Sequence, residues 1–337
     1  LLSILDGKLP DVDESFLKVS AFSQHIQDTD DYIAAEKFYE SMLVDIEESN
    51  DLIGSVGANE SGSLQIDLEL NNNLLKSFLG EHGISENVLF TSAFAYTLSR
   101  FTGSKYASFN LIENGRDRFN NFNSIGMYVN TLPLLVNCIN QKITSFIEYM
   151  SDLIYNVMRY NYYPFRLLAN KYNVNSNILF QFLPEWINGE YNENIPSDYQ
   201  ENYMVTNNGS MISDFSVDVI QHGNNYDLNI MYCDKYSNNF AQHFATSYKL
   251  ILNQLISVEK LDEINYITKE DIKVLDNFNQ TQYPLKYDDI IDAFNDNLAQ
   301  YPKNNLVTYK NNSFTYYEGA FIANEISDKL KSIGVNK

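Results

Sequence analysis

Glu113-Asn114-Gly115-Arg116-Asp117-Arg118 and, a short spacer later, Ser124-Ile125-Gly126-Met127-Tyr128-Val129-Asn130-Thr131 each sit beside a run of apolar residues. The first follows Tyr106 to Ile112 and the second leads into Tyr128 to Val136; both runs are rich in β-branched, aromatic and aliphatic residues and predict buried strands. Glycine at such junctions allows close approach of another backbone or of a ligand. Asn and Thr inside an apolar strand must be hydrogen-bonded. The local pattern favours a tight turn with a satisfied buried Asn over the wall of a ligand channel, and leaves both open.

Outward from this pair the chain mixes helices and strands. Upstream, Tyr32 to Leu43 carries helical periodicity behind Asp28, Asp30 and Asp31. Leu64, Ile66, Leu68 and Leu70 alternate with polar residues as in a half-buried strand. Asn72 to Leu79 predicts a short helix, and Ser85 caps a longer one from Asn87 to Phe101 that Gly103 ends. Downstream come a helix from Ile143 to Tyr160 and a strand from Ile178 to Leu183. A hairpin follows, with Phe215, Val217 and Val219 on one arm, His222 to Asn225 as its turn and Tyr226, Leu228, Ile230 and Tyr232 on the other. Asn239 to Leu255 predicts a long helix. The polar stretch Pro184 to Ser210 has little period and is too long for an ordinary connection. The last part is a new unit: a turn-prone segment Asn279 to Pro284, a helix Asp288 to Leu298, strands Leu306 to Tyr309 and Phe314 to Tyr316 around Asn311-Asn312, and a helix Glu318 to Ile333. A first residue other than Met, and a final amphipathic helix with no strand after it, predict a piece of a longer polypeptide.

The 337 residues favour two domains, or one large one plus a piece, at roughly 150 residues per domain. With 44% hydrophobic and 20% charged residues the chain is globular, not disordered. A net charge of −21 repels phosphate backbones and anionic headgroups, which disfavours nucleic acid and membrane partners. No apolar run is long enough to span a bilayer. The two cysteines, Cys138 and Cys233, form no CxxC pair, which fits a reducing, cytoplasmic setting without structural zinc. No metal site is expected: the four histidines, His25, His82, His222 and His243, include no HxxxH or HExxH pair. His82, His222 and His243 sit at a helix end, in a hairpin turn and on a polar helix side, so solvated or capping roles are favoured; His25 is ambiguous. Walker, GxGxxG and GxSxG loops are absent, and the residues alone display no catalytic constellation.

In order and spacing, the two glycine-bearing segments resemble the condensation domain of nonribosomal peptide synthetases, whose pattern Gly-Arg, then Ile-Gly-x-(Phe/Tyr)-Val-Asn-Thr-Leu-Pro-Leu, is supplied by Gly115-Arg116 and Ile125 to Leu134. Tyr163-Pro164-Phe165 resembles the family's His-x-x-Tyr-Pro-Phe segment, Asn177-Ile178-Leu179-Phe180 its Asn-Pro-Leu-Phe segment, and Phe22-Ser23-Gln24-His25 stands in place of its aromatic segment. Asn279-Gln280-Thr281, Ile290 to Leu298, Tyr301-Pro302 and Phe314-Thr315-Tyr316-Tyr317-Glu318 resemble the opening of an adenylation domain. The chain departs from the condensation pattern at Leu135, Tyr160, Ser176 and Ile178, and it has no His-His-x-x-x-Asp-Gly signature. Leu5-Asp6-Gly7 mimics only the end of that signature; the following Lys8-Leu9-Pro10 resembles the loop beyond it, so the signature would lie before this chain.

The resemblance implies an α/β (α+β) two-layer sandwich of the chloramphenicol-acetyltransferase-like type. It implies residues 1–50 as the tail of the first lobe and an inter-lobe helix, 51–258 as the second lobe, 259–285 as a linker and 286–337 as the start of an adenylation domain. Condensation domains join a carrier-bound donor thioester to a carrier-bound aminoacyl acceptor inside a tunnel between two lobes. Gly126, Tyr128, Val129, Asn130 and Thr131 would line or shape that tunnel, with Gly115 and Arg116 as a structural anchor beside it and Pro184 to Ser210 reaching across to the first lobe. No catalytic residue is assigned to this chain, which alone would be inactive. Implied partners are the upstream condensation lobe, the rest of the adenylation domain and peptidyl or aminoacyl carrier domains. Phosphopantetheine would come on the carriers; ATP and Mg would serve only a complete adenylation domain. A non-catalytic carrier-docking scaffold and a heterocyclisation domain of the same fold are the alternatives, while epimerisation is disfavoured because such domains normally follow a carrier domain.

Overall fold

The structure is a computed structural model that describes residues 14–55, 60–116, 124, 126–174, 177–184 and 213–335. The chain divides into two units, Leu1–Asp271 and Ile272–Lys337. In the first unit the helices are α1 (Ser15–His25), α2 (Asp30–Met42), α3 (Asn72–His82), α4 (Glu86–Thr102), α5 (Ile143–Arg159), α6 (Phe165–Tyr172) and α7 (Asn238–Leu255). Its strands are β1 (Gly62–Asp67), β2 (Tyr106–Glu113), β3 (Asn130–Asn137), β4 (Ile178–Leu183), β5 (Phe215–His222) and β6 (Asn225–Tyr232). A further helix, α8 (Lys269–Phe278), begins at its end.

The six strands form one mixed sheet in the order β1-β6-β5-β4-β2-β3. β4 pairs in parallel with β2 on one side and β5 on the other, while the remaining neighbours are antiparallel. Alternation decides the faces. Phe109, Leu111, Phe180, Phe215, Val217, Val219, Leu228 and Ile230 point into the main core against α4, α5 and α7. Central to that core is α4, capped as expected by the Ser85 hydroxyl, which accepts from the Val88 amide, and ended by Gly103 in the left-handed conformation. Tyr248 donates to the Phe90 carbonyl at 3.2 Å, a buried tie between α7 and α4. A second, aromatic cluster covers the other face near β2 and β3, where Tyr39 of α2, Tyr163 and Leu168 of α6 pack on Tyr106 and Leu135.

Two helices lie outside the pattern expected from the sequence. α1 is irregularly apolar, and α6 has only eight residues, too few for periodicity to mark it. Residues 259–268 also pack into the first unit, although the sequence suggests a linker from 259: the Leu261 carbonyl accepts from the buried Tyr96 hydroxyl at 2.7 Å, and Lys142 bridges to Lys260. Of Pro184 to Ser210, the segment expected to reach across to a partner lobe, residues 185–210 lie outside the described residues.

The second unit holds α9 (Ile290–Gln300), an antiparallel pair β7 (Asn305–Tyr309) and β8 (Asn312–Thr315), and α10 (Tyr316–Ser332). Lys310 at φ 54° makes the turn with Asn311, one residue earlier than the Asn311-Asn312 turn expected. Thr315 and Glu318 form a reciprocal capping box at the start of α10. Among the described residues no helix is long and apolar enough to cross a membrane.

Candidate functional site

Gly115, at the exit of β2, has φ 67°, and a Cβ there would lie 1.9 Å from the Tyr128 carbonyl oxygen. This is a close backbone approach that glycine alone permits. The crossing brings the two sequence segments together. Arg116 then locks them: its guanidinium donates to the Ser124 carbonyl at 2.6 Å and the Gly126 carbonyl at 3.3 Å, and its Cζ stands 4.5 Å from the centre of the Tyr128 ring. Lysine has neither the fork nor the planar face for this double role. The Arg116 amide donates to the Asn114 side chain at 2.9 Å, fixing the turn that aims the arginine.

Tyr128 is the buried plug of the arrangement, 5% exposed, with its hydroxyl 2.6 Å from the Ser124 hydroxyl and Phe16 of α1 edge-on at 5.4 Å. Gly126 fits under Phe16, since a Cβ would come within 2.5 Å of that ring. With Tyr128 turned in, Met127 and Val129 on either side of it turn out, 77% and 48% exposed. Asn130 and Thr131, expected inside the strand, are half-buried at its first two positions, paired with Glu113 and Ile112. Ile125, Asp117 and Arg118 lie outside the described residues.

Sequence reasoning missed three contributors, Phe16, Asn161 and Tyr39. Phe16 belongs to a helix that periodicity does not reveal. Glu113 is buried beside Asn161, whose amide donates to its Oε2 at 3.3 Å across 48 residues of sequence. Burial, with Tyr162 and Glu113 nearby, pushes the Tyr39 hydroxyl up beyond its ordinary range. The run Tyr160-Asn161-Tyr162-Tyr163 was the one visible hint of this aromatic shell.

None of the four histidines joins the site. His25 and His82 hydrogen-bond carbonyls of their own helices, Ala21 at 2.8 Å and Phe78 at 3.0 Å. His222 is an exposed hairpin residue near Asp227, and His243 bonds Asp271 at 2.9 Å.

The condensation-domain family matches residues 7–275. The chain belongs to that family. Its fold recurs in a nonribosomal peptide synthetase, FmoA3 in its AMPPNP-bound form, with a TM-score of 0.72 and 14% identity over 99% of this chain and 38% of that one. The condensation domain of the Monacolin K polyketide synthase MokA matches with a TM-score of 0.56 and 13% identity over 76% of this chain and 65% of that one. For the epimerization domain from the third module of tyrocidine synthetase B the TM-score is 0.55 and the identity 15%, over 76% and 62% of the two chains. The chain thus spans less than two thirds of each of these structures. At such identities the likeness is one of fold. A search of curated proteins finds no match.

Proposed function

We propose that this chain supplies one wall of a condensation site, in which an aminoacyl amine on one carrier attacks a thioester on another to form an amide. The observation that carries this reading is the knot itself: two segments separated in sequence are clamped by Arg116 and Gly115 so that Val129 is presented outward at the head of β3. A wall needs such rigidity, because holding both reactants in attack geometry is worth an effective molarity of roughly 10⁵–10⁸ M. Gly126, Tyr128, Val129, Asn130 and Thr131 shape the wall; Gly115 and Arg116 anchor it.

The proton-handling group belongs, on this reading, to a His-His-x-x-x-Asp-Gly segment that is not in this chain. Both thioesters arrive on phosphopantetheine arms of carrier domains, and the upstream condensation lobe supplies the facing wall. On this reading residues 286–337 would open an adenylation domain, a suggestion that rests on the sequence motif Phe314-Thr315-Tyr316-Tyr317-Glu318.

The test is a mass-spectrometric condensation assay with two carriers loaded with aminoacyl thioesters. Dipeptidyl thioester should form with this chain joined to a polypeptide bearing the histidine signature, and not with the chain alone. Product from neither would favour a docking scaffold, and a five-membered ring from Cys, Ser or Thr would favour heterocyclisation.

A further inference from the structure

Open sheets with parallel strands present ligand sites at the carboxyl ends of those strands. Here β2, β4 and β5 run in parallel, and at their carboxyl ends lies a concavity of about 660 Å³. That volume falls within the roughly 300–1,000 Å³ of small-molecule sites. Its walls include Leu79, Ile84, Ile112, Val129, Met158 and Phe182. Val129 therefore belongs both to this concavity and to the wall described above.

Charge narrows the ligand. Two carboxylates line the concavity: Glu113 at the end of β2, which accepts from Asn161, and Glu86 in the first turn of α4, whose Oε1 accepts from the Tyr226 hydroxyl at 2.6 Å. Among the described lining residues there is no Lys, Arg or His. An apolar group fits such a space; a carboxylate brought into it meets a like charge and gains no basic partner.

We propose that this concavity receives the side chain of the aminoacyl group carried to the site, and selects apolar side chains against acidic ones. The inference rests on the reading of Val129 as part of a wall that carried aminoacyl groups reach.

Leucyl-pantetheine amide, aspartyl-pantetheine amide and bare pantetheine, titrated into the full chain by NMR, test it. The amide replaces the thioester, so nothing is transferred. The leucyl compound should bind more tightly than bare pantetheine and at least about tenfold more tightly than the aspartyl compound, the scale on which an apolar pocket discriminates side chains. Glu86→Gln should raise aspartyl affinity and leave leucyl affinity within about twofold, since it removes one of the two carboxylates and keeps an acceptor for Tyr226. Met158→Trp, which fills the space, should abolish the advantage of the leucyl compound. If bare pantetheine binds and the leucyl and aspartyl compounds bind no differently from it, the pocket is refuted while the carrier-arm reading stands. If none of the three binds, both are refuted. Equal leucyl and aspartyl affinities above that of pantetheine would overturn the selectivity.

Discussion

Replacing Gly115 by alanine sets a methyl carbon 1.9 Å from the Tyr128 carbonyl oxygen and 2.8 Å from its carbon, both backbone atoms of a segment held by Arg116. Two costs follow. The left-handed φ of 67° costs an L-residue about 1–2 kcal/mol. Overpacking against a contact that cannot rotate away adds about 1–3 kcal/mol. Gly83 separates the two, since it has φ 61° with nothing within 4 Å of an added Cβ and so pays the conformational cost alone. By thermal unfolding, at about 2–4 °C per kcal/mol for a unit of this size, Gly115→Ala should lower Tm well beyond Gly83→Ala. Hydrogen exchange should localise the extra loss to residues 126–131. Equal losses for the two variants would refute the close backbone crossing and, with it, the rigid wall.

Arg116→Lys should cost about 1–2 kcal/mol and speed amide exchange around Gly126, because a point charge cannot serve two carbonyls and stack on Tyr128; unchanged exchange would count against the anchor. Burial pushes the Asp218 carboxyl up to about 6, against hydrogen bonds from Gln181 and Asn229 that favour its ionised form. The folded state therefore holds this proton more tightly than the unfolded state. Stability should fall as pH rises from about 4 to 6, and Asp218→Asn should flatten that slope and stabilise at pH 7 by up to about 3 kcal/mol; an unaltered urea-derived pH profile would contradict this. Thr268→Ala should destabilise α8 by about 1 kcal/mol, since the Thr268 hydroxyl accepts from the Asp271 amide at 3.2 Å and Asp271 accepts from Thr268 in return. ATP should give no saturable heat with this chain in calorimetry.

Most of the fold was legible where local chemistry decides it. The alternation of β1, the β5–β6 hairpin and the Ser85 to Gly103 frame of α4 all rest on residues close in sequence. The insertion of β4 between β2 and β5 rests on parallel pairings of distant segments, which periodicity does not encode. The candidate site divides in the same way. Gly115, Arg116 and Gly126 stood out as motif residues, whereas Phe16, Asn161 and Glu86 reach it only through tertiary contacts, which no local pattern encodes. Residues 259–268 looked like a linker because their polar residues hide two buried anchors, Leu261 and Ile264.

Val129 and Ile139 lie just outside the two ends of β3 with matched exposures of 48% and 49%, which permits a direct test of whether the head of that strand meets a carrier's arm. Val129→Cys and Ile139→Cys, each in a Cys233→Ser background, would be alkylated with bromoacetyl-pantetheine and, for intrinsic reactivity, with iodoacetamide. Relative to iodoacetamide, the pantetheine reagent should label the cysteine at 129 faster than that at 139 by about tenfold, the gain expected when binding precedes reaction. Equal normalised rates at the two positions would contradict the assignment of this wall to carried acyl groups.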